Sequence, residues 1–174
     1  YEYFGTTLSG VCFGAAAGAL ACVDTCFDTI GGGVVASAGF ESGDSVTTNI
    51  ATYNTSGDVW GVVSSVGSIS GPSAGDSFWG MQDLDNGNGG GNGYHTITVG
   101  PIDMSTVGAS TLSFDYQSVG YESSDNIGFL VVTNGASVPN LDVDDSSLVQ
   151  LQKDTAGQWL TIDFAVGADV TSAT

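Results

Sequence analysis

The residue types best suited to chemistry lie in one stretch, Gln82-Asp83-Leu84-Asp85-Asn86-Gly87-Asn88-Gly89-Gly90-Gly91-Asn92-Gly93. Hard cations such as calcium take about six to eight oxygen ligands. Asp83, Asp85, Asn86 and Asn88 supply side-chain oxygens close together, and the glycines let backbone carbonyls turn inward. The loop departs from two known calcium patterns. An EF-type loop carries Asp or Asn where Gly87 stands, and the glycine-rich repeat of parallel β-helices has Asp where His95 sits. The competing reading is a solvated loop that is acidic because the whole protein is acidic. The expected cofactor is therefore Ca2+ at these four residues, on ligand chemistry alone.

The thiols come next. Cys12, Cys22 and Cys26 all fall early in the chain. One disulfide, Cys12–Cys22 or Cys12–Cys26, would leave an odd thiol for an intermolecular bond. Cys22–Cys26 needs α-carbons within about 7 Å. Packing as small apolar residues is the alternative. Three thiols and one remote histidine do not have the spacing of a zinc site.

Signals for catalysis are poor. His95 is the single histidine, Gly-x-Ser-x-Gly is absent, and a base on a strand needs an orienting partner and a nucleophile. Among 19 acidic residues, Glu41 and Glu122 included, a carboxylate pair carries no information about glycoside hydrolysis. The expectation is that the chain is not an enzyme. Trp60, Trp79, Trp159, Tyr94, Tyr116 and Tyr121 offer flat faces for sugar rings but serve equally well as core. Trp79 alternates with Met81 and is expected in the core, whereas Trp60 and Trp159 flank turns and are expected at the surface. Asn54-Thr55-Ser56 is a sequon that would mark a surface loop.

The elements that hold these residues follow from composition and pattern. The chain has 174 residues, and its single cation, Lys153, faces 19 carboxylates for a formal charge of -18. Nucleic-acid partners are excluded, since neutralising phosphate needs clustered Lys or Arg. Hydrophobic residues make up 41%, enough to bury a core, so disorder is excluded as well. Self-repulsion of this size is relieved by salt or divalent cations, which points to an extracellular protein, secreted or at the cell surface.

The first 33 residues are expected to form an N-terminal linking segment, ending in the hinge Gly31-Gly32-Gly33, with a β-sandwich domain over 34–174. The run Gly14–Ala21 is too short for membrane insertion, and the start Tyr-Glu-Tyr lacks a signal peptide's basic residues, so the chain reads as mature. From Val34 onward, period-two patterning and Gly/Asn/Asp/Ser punctuation predict about eight strands. Strands are expected at 59–65, 77–82, 94–99, 111–116, 127–133 and 160–166. The fold class is all-β.

Phe40-Glu41, Ser77-Phe78-Trp79-Gly80-Met81-Gln82-Asp83-Leu84-Asp85-Asn86, Leu112-Ser113-Phe114-Asp115-Tyr116 and Gly120-Tyr121-Glu122-Ser123-Ser124-Asp125 carry a resemblance over residues 40–166. The chain resembles secreted jelly-roll modules of bacterial surface and adhesin-like proteins, similar in layout to MAM and lectin-like domains. The resemblance implies a jelly-roll-like β-sandwich with a non-enzymatic binding or structural role. It also implies that Glu41 helps hold a structural calcium together with a late Asp-Asp pair on a closing strand, and no such pair follows the strand ending near Val166. A missing closing strand would leave an edge for a second copy to fill by strand addition, with the N-terminal segment as donor and a filament or surface layer as product. The alternative expectation is a carbohydrate-binding module of a larger secreted protein, with surface glycans as partners.

Overall fold

A computed structural model describes residues 11–15, 20–29, 34–41, 46–55, 57–84, 95–120, 126–133 and 148–173. The regular elements among them are all strands, paired antiparallel throughout. The fold is all-β.

One sheet has the order β12 (Val149–Gln150), β11 (Ile127–Val131), β1 (Val11–Ala15), β8 (His95–Val99), β4 (Val46–Thr48). The larger sheet runs β13 (Leu160–Val166), β10 (Ser110–Val119), β2 (Leu20–Thr29), β7 (Phe78–Gln82), β6 (Val59–Val63), β5 (Tyr53–Asn54). Here β3 (Val34–Ala38) also pairs with β2, beside the half that β7 leaves uncovered. A third, two-stranded pair joins β14 (Ser172–Ala173) to β9 (Ile102–Asp103).

The period-two pattern sets which faces meet. Along β10, Leu112, Phe114 and Tyr116 are buried, while Thr111, Ser113 and Asp115 are half-exposed. The same alternation in β8 buries His95, Ile97 and Val99. Phe114 of the larger sheet meets Phe129 of the smaller edge-to-face, with centroids 5.1 Å apart, so the two sheets share one core. A second, smaller core lies around Val59, Val66, Ile69 and Phe78.

The strands expected near 59–65, 77–82, 94–99, 111–116, 127–133 and 160–166 are present as β6, β7, β8, β10, β11 and β13. The count differs, with fourteen strand segments among the described residues against about eight expected. Five of them (β5, β9, β12, β14 and the three-residue β4) are too short to show a period-two pattern. The first thirty residues also contribute strands to the sheets. β1 lies between β11 and β8, and β2 pairs with β10 through ten consecutive register positions from Leu20↔Val119 to Thr29↔Ser110.

At the open side of β10 a single residue continues what β13 begins. The β13 ladder ends at Tyr116↔Leu160. Beyond it, the Thr155 N–H donates to the Ser118 carbonyl (2.9 Å), and Thr155 Oγ1 accepts from the Ser118 N–H (3.2 Å). Ser118 Oγ donates to the Gln152 carbonyl (2.8 Å), and the Gln152 N–H donates to the Tyr116 hydroxyl (3.1 Å). The chain then reverses at Thr155-Ala156-Gly157-Gln158, closed by the Gln158 N–H on the Thr155 carbonyl (3.0 Å). Both central residues are left-handed, Ala156 at φ 51° and Gly157 at φ 76°, as a type I′ turn requires.

Candidate functional site

Glu41 lies just beyond β3, and its Oε1 accepts two backbone hydrogen bonds, from Asp76 N–H (2.8 Å) and Ser77 N–H (2.9 Å). The carboxylate thereby fastens the approach to β7. Gly75, at φ 74°, makes room for it, since a Cβ there would lie 2.7 Å from Glu41 Oε1. Asp83 closes β7 in a left-handed conformation, φ 50°. Asp85, Asn86 and Asn88 fall outside the described residues. Among the described residues, no group of three or more His, Cys, Asp or Glu side chains is placed to share a metal ion.

Between these two acids runs a row of aromatic contacts. Phe40 packs on Trp79 (5.9 Å), Trp79 on Trp60 (5.1 Å, edge-to-face), and Trp60 on His95 (5.1 Å, edge-to-face). The Tyr53 hydroxyl lies 3.1 Å from His95 Nε2. Trp60 was expected at the surface but is fully buried. The reason is its register, opposite Tyr53 on one side and Met81 on the other, which makes it a mid-sheet residue rather than a turn residue. Its Nε1–H donates to the Ile50 carbonyl (3.2 Å). Trp79 is buried as expected, and Trp159 is half-buried.

The electrostatics of this row follow from burial and charge. His95 is 1% exposed, and burial pushes its pKa below the ordinary 6.5, so the ring is held neutral. Its Nδ1 has no hydrogen-bond partner among the described residues, nor has Trp79 Nε1. The Tyr53 hydroxyl is pushed up, first by burial and then by the negative charges of Asp58 and Asp83. A neutral imidazole paired through Nε2 fixes the position of the Tyr53 hydroxyl. No protein-family model, curated protein or solved structure matches this chain.

The thiols occupy both sheets. Cys12 is in β1, opposite Leu130 and Thr98, while Cys22 and Cys26 are in β2, opposite Gln117 and Ser113. Cys22 and Cys26 share one extended strand four residues apart. At about 3.3 Å per residue their α-carbons are about 13 Å apart, beyond the reach of a disulfide.

Sequence reasoning missed Tyr53 and the Ser118–Thr155 junction. Both depend on partners 42 and 37 residues away, and neither is signalled by its neighbours in the chain.

Proposed function

We propose that this chain is an extracellular structural or adhesive subunit, a jelly-roll-like and non-enzymatic module that joins copies of itself by exchanging its N-terminal strands. The observation that carries the reading is the position of β1 and β2. Both are interior strands, between β11 and β8 and between β10 and β7, and the sequence joins them to the remainder through Gly31-Gly32-Gly33. The same ladders form whether the donor is the chain's own segment or a neighbour's. Exchange keeps the backbone hydrogen bonds and is opposed chiefly by association entropy. Donation from head to tail that does not close into a ring propagates as a filament or layer.

Charge sets the conditions. Copies carrying -18 each repel at low ionic strength, so assembly is favoured by salt or divalent cations. Calcium belongs to the proposal on donor chemistry, through Asp83 and the Asp85, Asn86 and Asn88 oxygens that follow it. Such a surface suits a saline exterior.

A cross-link distinguishes exchange from folding within one chain. Ser113 is the register partner of Cys26, and cross-strand Cβ atoms lie about 4.5–5.5 Å apart. In a Cys12→Ser, Cys22→Ser background, Ser113→Cys should give a ladder of covalent multimers on a non-reducing gel, from protein concentrated with calcium and salt. A single monomer band refutes exchange.

A further inference from the structure

On the outer side of the larger sheet, away from the shared core, a groove of about 610 Å3 lies where β10 ends. Its floor is Gln117 and Val119, one wall is the turn around Ser68–Pro72, and the other is the segment from Asp154 to Trp159. That volume falls within the range of small-molecule sites, about 300–1,000 Å3. We propose that this groove binds a neutral oligosaccharide. The inference goes beyond the assembly reading and does not depend on it.

The lining has the composition that a pyranose requires. Trp159 offers an indole ring for the apolar C–H face of a sugar, and its tilt is fixed by an edge-to-face contact with the fully buried Phe78 (5.8 Å). Asp154 offers a carboxylate, the acceptor suited to neighbouring hydroxyls. One of its oxygens takes the Ala156 N–H (2.8 Å), which orients the group while acceptor capacity remains. Ser68 and Ser70 contribute exposed hydroxyls across the groove. Gln117, 6% exposed, brings an amide that can both donate and accept. Gly157 leaves this amide uncovered, since even a Cβ there would approach its Nε2 to 4.0 Å.

The groove is built in advance of any ligand. The loop bearing Asp154 and Trp159 is fastened to β10, which bears Gln117, through the Thr155–Ser118 and Gln152–Tyr116 hydrogen bonds. Fixing polar groups before binding removes the ordering cost that otherwise weakens a shallow site. Charge then selects within the saccharides. No cation is among the described residues that line the groove, Asp154 faces it, and the chain carries -18, so uronates, sulfated sugars and phosphates are repelled.

The test is calorimetric titration of the full-length chain with cellopentaose, laminaripentaose and mannopentaose, beside oligogalacturonate as the charged control, with intrinsic tryptophan fluorescence in parallel. At least one neutral probe should bind saturably and perturb tryptophan emission, and oligogalacturonate should not bind. Trp159→Ala should weaken binding by about tenfold or more. Because Trp159 also packs on Phe78, Asp154→Ala provides a second variant at an exposed side chain, and it should weaken binding severalfold with the melting temperature nearly unchanged. The proposal is overturned if none of the three neutral probes binds at millimolar concentration, if oligogalacturonate binds as well as they do, or if binding is the same in wild type and both variants.

Discussion

Thr155→Val removes one hydroxyl and almost no volume, so its effect can be worked out from the hydrogen bonds it breaks. Thr155 Oγ1 is the acceptor for the Ser118 N–H at 3.2 Å, and both residues are buried, Thr155 at 3% exposure and Ser118 at 0%. The Ser118 carbonyl keeps the Thr155 N–H at 2.9 Å after the change, so only the Ser118 N–H is orphaned. A buried donor left without an acceptor costs about 1–3 kcal/mol. For a domain of this size each kcal/mol moves the melting temperature by about 2–4 °C, so the centre of the range is a loss of about 4–8 °C. Thr155→Ser separates the hydroxyl from the methyl, since it keeps both hydrogen bonds and loses about 0.8 kcal/mol of burial. Thermal melting by circular dichroism measures the loss, and amide exchange at Ser118 locates it. Wild-type melting in Thr155→Val would show that the hydroxyl does not continue the β13 edge. Equal losses in the Val and Ser variants would assign the effect to packing.

Three further outcomes follow from particular residues. Ala156→Asn puts Asn-Gly into the type I′ turn, relieving part of the left-handed strain on alanine, and should raise the melting temperature by about 1–3 °C; no rise refutes the turn assignment. The neutral, buried His95 contributes stability that is full above its ordinary pKa of 6.5 and lost as pH falls toward its depressed folded value, at up to about 1.4 kcal/mol per pH unit. Chemical denaturation between pH 7 and pH 5 should show this decline in wild type and a flatter profile in His95→Gln, with parallel profiles counting against it. If calcium binds at Asp83–Asn88, a chelator at matched ionic strength should lower the melting temperature by about 5–10 °C, as expected for an ion held near a hundred times its dissociation constant, and an unchanged curve removes calcium from the account.

What could be read in advance was whatever repeats locally. The alternation Leu112-Phe114-Tyr116 and the run from Leu160 to Val166 announce β10 and β13, because a strand's two faces are written in its own residues. Residues 1–33 read as a linking segment because the three cysteines, the small-residue run Gly14–Ala21 and the Gly31-Gly32-Gly33 hinge mark a break in composition, and composition does not tell an interior strand from a linker. Their place is decided by long partners elsewhere, chiefly β10. Trp60 shows the same limit, because a residue beside a turn in sequence is central once β5 and β7 flank it. The loop after Asp83 is marked by its composition, whereas the groove at Trp159 is assembled from three separate stretches and exists only where they meet. The resemblance implies a calcium ligand at Glu41, and the two backbone amides on its Oε1 give it a structural task that one sequence does not reveal.

The central claim is assembly through the N-terminal strands, and it is tested most directly on the intact chain, because deleting residues 1–33 would strip interior partners from β7, β8, β10 and β11. Size-exclusion chromatography with multi-angle light scattering should be run at high protein concentration, with calcium and salt and again in low-salt chelator. The account predicts masses at integral multiples of the 17.5 kDa chain in the first buffer and a shift toward monomer in the second. A single 17.5 kDa species in both contradicts it.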